Sequence, residues 1–321
     1  MEQVKEKNRK KFQVSELSQY GIYFAFIVLC IIFAISNPVF LSLGNIINIL
    51  RQISFNAILA MGMTMVIITG GIDLSVGSVL AIAAVVSASF IKTAEPVLPV
   101  GGAVLAGLAI GALCGFFNGL FVTAGNLPPF IATMVMMTIA RGGAQLYTKG
   151  RPVSGLLPGF TFLGSGFILG IPVPVYLLAV VVLITYFILN KTRTGRWIYA
   201  VGGNESAARA SGIKVHRVKM TAYIYCGMLA AFVGLIMTAR LNSASPVVGD
   251  GYELDAIAAA VIGGTSMEGG KGKVFNVLLG ALIIGTISNG LDILNVSSYW
   301  QQIVKGLIIL VAVLIDRKAS K

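Results

Sequence analysis

Charged residues are scarce in this chain: Asp, Glu, Lys and Arg make up 11% of its 321 residues, where a soluble globular domain carries about 25%. That excludes an ordinary water-soluble enzyme or binding module. Histidine occurs once, as His216 among Lys214, Arg217 and Lys219, a solvated basic flank and not a catalytic base. The three cysteines, Cys30, Cys114 and Cys226, each sit inside an apolar segment without the close spacing of a metal site, so buried thiols are expected, with no disulfide and no metal centre. Neither a metal-ligand cluster nor a nucleophile and base at a recognised spacing is present, which argues against an intramembrane enzyme. A Walker A loop is missing too. The glycine-rich run Gly263 to Lys273 places Thr265 where the first glycine belongs and Gly272 where the Mg²⁺-binding hydroxyl belongs, so it reads as a turn between helices.

What is abundant is apolar surface. Hydrophobic residues form 56% of the chain and the mean hydropathy is +0.88, the composition of an all-α, polytopic membrane protein. Runs close to the length that crosses a hydrocarbon core about 30 Å thick predict about ten transmembrane helices, at 21–36, 53–70, 74–91, 99–123, 127–148, 173–190, 219–239, 254–266, 274–291 and 299–315. The eighth is short. The first is preceded by a basic tail, 1–20, and lacks a small-residue cleavage pattern, so it reads as an uncleaved helix. The domain organisation expected is therefore a tail at 1–20, one transmembrane domain at 21–316 including the loop 191–218, and a tail at 317–321.

The net charge of +12 points to membrane topology and not to nucleic acid. Seventeen of the 24 Lys and Arg fall in the N-terminal tail, at 191–219, in the turn at 267–273 and in the C-terminal tail, which the positive-inside rule places in the cytoplasm together with both termini. Arg51, Lys149, Arg151 and Arg240 then face outward, Lys92 likewise, while Arg141 and Lys305 lie within spans and require carboxylate or carbonyl partners, Asp255 or Asp292 among them. The stretch 149–172, rich in Gly and Pro, is too irregular to cross lipid and is expected to fold over the outer surface.

Asp73 sits at a glycine-marked break between two apolar runs, and so belongs at a membrane boundary or beside a hydrated interior. Gly107, Gly111, Gly115 and Gly119 form a ladder at spacing four, which lets another helix approach closely, within the subunit or across a dimer. Similarity between Val66–Gly77 and Val261–Gly272 suggests an internal duplication. In the cytoplasmic loop, Asn204, then Glu205-Ser-Ala-Ala-Arg-Ala210, then Gly212 is the pattern of a short capped helix, a rigid knob fitted to a cleft in another protein.

Four motifs carry a family resemblance: Gly71-Ile-Asp-Leu-Ser-Val-Gly-Ser78, Phe130-Ile-Ala-Thr-Met134 onward to Arg141-Gly142, Tyr199-Ala-Val-Gly-Gly-Asn-Glu205, and Gly251-Tyr-Glu-Leu-Asp-Ala-Ile-Ala-Ala259 through Gly263-Gly-Thr-Ser266. In order and across the chain after its tail, they resemble the permease subunits of bacterial ABC importers for monosaccharides, those for ribose above all. The resemblance implies a type II importer-like permease in the bacterial inner membrane. It implies pairing with a second permease subunit as a homodimer, surrounded by membrane lipid. Sugar would come from an extracytoplasmic sugar-binding protein, and the drive from a separate ABC ATPase subunit that holds ATP and Mg²⁺, this chain carrying no cofactor. The segment Asn204, Glu205, Ala207, Ala208, Arg209 and Gly212 corresponds to the ATPase-coupling helix, although Glu205 stands one position away from the family's Glu-Ala-Ala pattern. A neutral, hydroxylated solute needs hydrogen-bonding and aromatic contacts, for which the candidates are Asp73, Ser75, Asn118, Phe130, Thr133 and Arg141. Docking of an acidic binding protein would fall to Arg51, Lys149, Arg151 and Arg240. A self-sufficient channel or ion-coupled carrier is the alternative, and it leaves the cytoplasmic knob without a purpose.

Overall fold

The computed structural model describes residues 22–320, and its architecture is helical almost throughout. The basic tail 1–20 lies outside the described residues. Helix α1 (Ile22–Ser36) passes through a short 3-10 turn into α2 (Leu43–Ile68), whose first turn is capped by Ser42 Oγ accepting from Asn45 N at 3.3 Å. Helix α2 therefore begins ten residues before the apolar run at 53–70. Its first turns carry Asn45, Asn48, Arg51 and Gln52, polar residues that hide the helix from any hydropathy reading.

From Ile53 to Ile68 α2 is buried on every side, the behaviour of a helix that is apolar all round, and it forms the axis of the core. Helix α10 (Val215–Leu241) lies beside it. Helix α4 (Val100–Thr123) packs on α10 through the glycine ladder: a Cβ at Gly111 or Gly115 would strike the backbone of Gly227 or of Tyr223 and Ile224, and one at Gly119 would meet Met220. The ladder is thus an intramolecular joint. The opposite face of α4 leaves Leu105, Leu113 and Phe116 exposed.

Helices α3 (Val76–Ser89) and α11 (Tyr252–Ile262) are short. At 1.5 Å per residue, the 11 residues of α11 span about 16 Å, half a bilayer core, so the eighth predicted span is a half-helix. The remaining long helices are α5 (Pro129–Thr148), whose first turn opens on Pro129 after Pro128, α7 (Val173–Lys191) and α12 (Val274–Ile293). Helix α13 (Ser298–Ser320) continues past the expected boundary at 316. Among the described residues five helices, α2, α4, α7, α10 and α12, are long and apolar enough to cross a membrane, and three shorter apolar segments accompany them.

The two ends of the bundle differ. At one end the 149–172 segment folds into α6 (Pro158–Ser165) and short strands, with β1 (Val153–Ser154) paired antiparallel to β4 (Ser243–Ala244) and β2 (Phe167–Ile168) to β3 (Ile171–Pro172). At the other end the loop 191–218 is almost wholly helical. Besides the expected short helix, α9 (Glu205–Ala210), it forms α8 (Arg193–Gly203), capped by Thr192 Oγ1 accepting from Gly195 N at 3.2 Å. The two similar glycine turns also share geometry: α2 and α11 both end with a left-handed glycine, Gly70 at φ +79° and Gly264 at φ +79°, and a pair of reverse backbone bonds.

Candidate functional site

Helix α9 is too short to be stable alone, and its sequence supplies the supports. Asn204 Oδ1 accepts from Ala207 N at 2.9 Å. Glu205 accepts from Arg209 at 3.0 Å within α9 and from Lys219 of α10 at 2.6 Å. Lys219 above all, then Arg209, holds the Glu205 carboxyl below the usual carboxylate range. Gly212, at φ +81°, closes the segment. Ala208 is buried, whereas Asn204, Ala207 and Arg209 are exposed. Only part of the expected coupling set faces outward, and Glu205 fastens α9 to the bundle. Lys219 had no individual mark in the sequence beyond its place in the basic flank.

Beneath α9 three chain segments meet with almost no side chain between them. Gly270 N donates to Ile68 O at 2.9 Å, and a Cβ on Gly202 would collide with both of those atoms. Gly269 and Gly270 take φ +89° and +71°, a conformation that favours glycine. Tyr199 Oη donates to Gly272 O at 2.8 Å, and burial raises its phenol above the usual range. The turn 263–273 is thus a packing surface that joins the end of α8 to the end of α2. The end of α8, which leads into α9, lies against the end of α2 just before the break at Gly70–Asp73.

At that break Asp73, Ser75 and Asn118 come together. Asp73 Oδ1 accepts from Ser75 N at 2.9 Å and Ser75 Oγ at 2.6 Å, and Asn118 Nδ2 donates to Ser75 Oγ at 2.8 Å and to both Asp73 oxygens at 3.3 Å. Tyr223 Oη of α10 donates to Ile72 O at 3.3 Å, a contact with no signature in the sequence. All three polar residues are at most 1% exposed, so they form a sealed knot among α3, α4 and α10 and face no aqueous space in this conformation. The carboxylate meets the cost of its burial through hydrogen bonds.

The other expected path residues lie on α5. Thr133 is buried and donates back to Pro129 O at 2.9 Å; Phe130 is exposed. Arg141 Nη1 donates to Pro246 O and Val248 O, each at 2.9 Å. Those carbonyls belong to the non-helical stretch between β4 and α11, whose backbone groups need protein partners at membrane depth. Arg141 also lines a cavity of about 350 Å³ with Ser78, Thr138, Gln145, Asp250 and Glu253. Lys305 pairs with Asp255 at 2.8 Å. Asp292 instead accepts from Gln301 at 2.7 Å.

The four cations expected at the outer surface separate into two kinds. Lys149 and Arg151 are exposed. Arg51 folds back over the Phe167 ring, 4.8 Å from its centroid, and donates to Ser165 O at 3.2 Å; Arg240 lies 5.8 Å from the Phe55 centroid. His216 lies within the basic flank as expected, and its Nδ1 is 2.6 Å from Thr123 Oγ1, linking the start of α10 to the end of α4.

A family profile described as the permease component of the branched-chain amino acid transport system matches residues 45–313. The chain belongs to this permease family. The permease is similar to the ribose import permease protein RbsC of Bacillus subtilis, 48% identical over 95% of this chain and 94% of the relative, and to RbsC of Escherichia coli K12, 48% identical over 97% of each. It is also similar to the D-allose transport system permease protein AlsC of Escherichia coli K12, 40% identical over 94% of this chain and 93% of the relative. No solved structure matches at a significant level. Membership and the apolar helices make the permease a multi-pass protein of the inner membrane. The broken helices, the sealed knot and the α8–α9 platform are accordingly features of a transport subunit.

Proposed function

We propose that this permease carries a monosaccharide, ribose first, across the inner membrane as one half of an ATP-driven importer. The observation that carries the proposal is α9: an exposed, capped peg clamped to α10 by Glu205–Lys219, and preceded by the end of α8, where Gly202 sits directly on the backbone of the end of α2. A channel or ion-coupled carrier has no use for a rigid peg. An ABC ATPase with ATP and Mg²⁺ would grip α9 through Asn204, Ala207 and Arg209, with Ala208, Glu205 and Gly212 keeping its shape. Sugar would be handed over by an extracytoplasmic binding protein at the opposite end, where Lys149 and Arg151 are free to meet acidic side chains and Arg51 and Arg240 lie further in.

Both termini then lie in the cytoplasm, and the half-helices α3 and α11 supplement the long spans to give about ten crossings or partial crossings. The exposed apolar faces of α4, α5, α7 and α13 are available to lipid and to a second copy of the chain. The path is proposed to run past Phe130, Thr133 and Arg141 on α5. Asp73, Ser75 and Asn118 join it when α3 and α4 separate and open the knot. Support for ribose is the 48% identity to permeases so named. The test is co-purification with the cognate ABC ATPase. Ala207→Trp should abolish it, while a control substitution on α4, Gly101→Ala, where nothing lies near the added Cβ, should keep it; a retained ATPase in the Ala207→Trp variant would refute the role of α9.

A further inference from the structure

At the end of the bundle opposite α9, a cavity of about 440 Å³ opens between the beginnings of α2 and α11 and the ends of α10 and α12. Its volume lies in the range of small-molecule sites, about 300–1,000 Å³. In so apolar a chain its lining is unusual: Asn48, Gln52, Arg240, Tyr252 and Asp292 supply polar groups, and Phe55 supplies an aromatic face. Behind them Asn45 and Asn289 bond each other in both directions, at 3.0 and 2.9 Å, and fix α2 to α12 as a stiff wall.

Of the front groups only Asp292 has a hydrogen bond within the protein, its Oδ1 accepting from Gln301. Among the described residues, Asn48, Gln52 and Tyr252 make no side-chain hydrogen bond within the protein, and Arg240 lies by the Phe55 ring with no side-chain hydrogen bond or ion pair. Arg240 and Asp292 line the same cavity without forming an ion pair. One cation and one anion held apart leave the lining with no net charge, which suits a neutral ligand better than a phosphate or a carboxylate. Amides, a guanidinium, a carboxylate and a phenol, arrayed beside an aromatic ring, match the alternating hydroxyls and the C–H face of a sugar. Beyond Phe55 the chain is closed, since α2 is buried from Ala57 to Ile68. The space is therefore a pocket and not a through-channel.

We propose that this cavity is a monosaccharide-binding site within a single permease chain, where a sugar released at the outer face is held before the path opens. It rests on the function proposed above, and it is separate from the Arg141 cavity and from the Asp73 knot. Sugar is bound weakly, because the pocket is half open and its polar groups are otherwise hydrated.

The site is tested in the assembled transporter in lipid nanodiscs, without binding protein. Leu241→Cys places a thiol on the cavity lining at a residue that carries no polar contact, and its alkylation by a membrane-impermeant reagent is timed with and without millimolar D-ribose, the unsubstituted chain giving the background. D-Ribose should slow alkylation, and Gln52→Leu or Asp292→Asn should raise the half-protecting concentration about tenfold, the equivalent of about 1.4 kcal/mol. Equal protection by glycerol 1-phosphate would identify a lipid-headgroup site and overturn the proposal. No protection in a transporter that still imports ribose with its binding protein would overturn this site alone. Loss of both, with no monosaccharide imported, would overturn the proposed function and the site with it.

Discussion

Lys305→Met should unfold this permease more readily than almost any other single change outside the glycine contacts. Asp255 is 3% exposed at its side chain, and Lys305 Nζ stands 2.8 Å from Oδ2. The other oxygen, Oδ1, is buried without a hydrogen-bond partner, so Lys305 is the main group that makes a carboxylate tolerable there. Removing it strands a buried charge, which costs about 3–5 kcal/mol. Asp255→Asn should cost less, about 1–3 kcal/mol, because Lys305 is 22% exposed and its long stem carries the ammonium to water. Replacing both, Asp255→Asn with Lys305→Met, removes the burial penalty along with the attraction and should return most of the loss. The double-mutant cycle, read by SDS-induced unfolding in mixed micelles, should thus give strong coupling between α11 and α13. A loss below about 1 kcal/mol for Lys305→Met, or a double variant whose loss equals the sum of the singles, would refute the reasoning.

Three further outcomes follow from the packing. Gly115→Leu drives a side chain into the backbone of α10 and should lower the yield of folded protein, by more than the about 1–3 kcal/mol of ordinary overpacking, while Gly101→Leu in open space should be silent in the same solubilisation assay. Gly202→Ala should leave the ATPase bound but weaken the link between α9 and the break at Asp73, costing about 0.5–2 kcal/mol of coupling, seen as fewer sugars carried per ATP hydrolysed. Glu205 has its carboxyl held below the usual range by Lys219 and Arg209, so the stability its ion pairs give is complete above the ordinary Glu value of about 4.3 and is lost as pH falls through the lower folded value. Retention of the ATPase should accordingly be flat from neutral pH down to that point in the wild type, and uniformly weaker in Glu205→Gln over the same range.

Much of the fold was legible because apolar runs and helix punctuation are local. The Asn204 cap with Gly212 marked α9, and the need of Arg141 and Lys305 for partners followed from the cost of charge in hydrocarbon. What could not be read depends on what a residue faces. The first turns of α2 looked like loop since Asn48 and Gln52 face a cavity. Helix α8 looked like a solvated loop since Arg193 and Arg196 open it and Gly195, Gly202 and Gly203 interrupt it, and only its seating shows that Ile198 and Val201 are buried. The glycine ladder announced a close contact but not its partner, which is α10. Asp73, Ser75 and Asn118 were recognisable as polar groups in apolar surroundings; that they bond one another is a tertiary fact with no sequence signal.

The most direct measurement of the central claim is uptake of labelled ribose into proteoliposomes that hold the permease with or without its ATPase, with ATP sealed inside and loaded binding protein outside. The account predicts uptake only when both subunits and ATP are present, and none after Ala207→Trp. Ribose entering vesicles that contain the permease alone, at a rate indifferent to ATP, would contradict it.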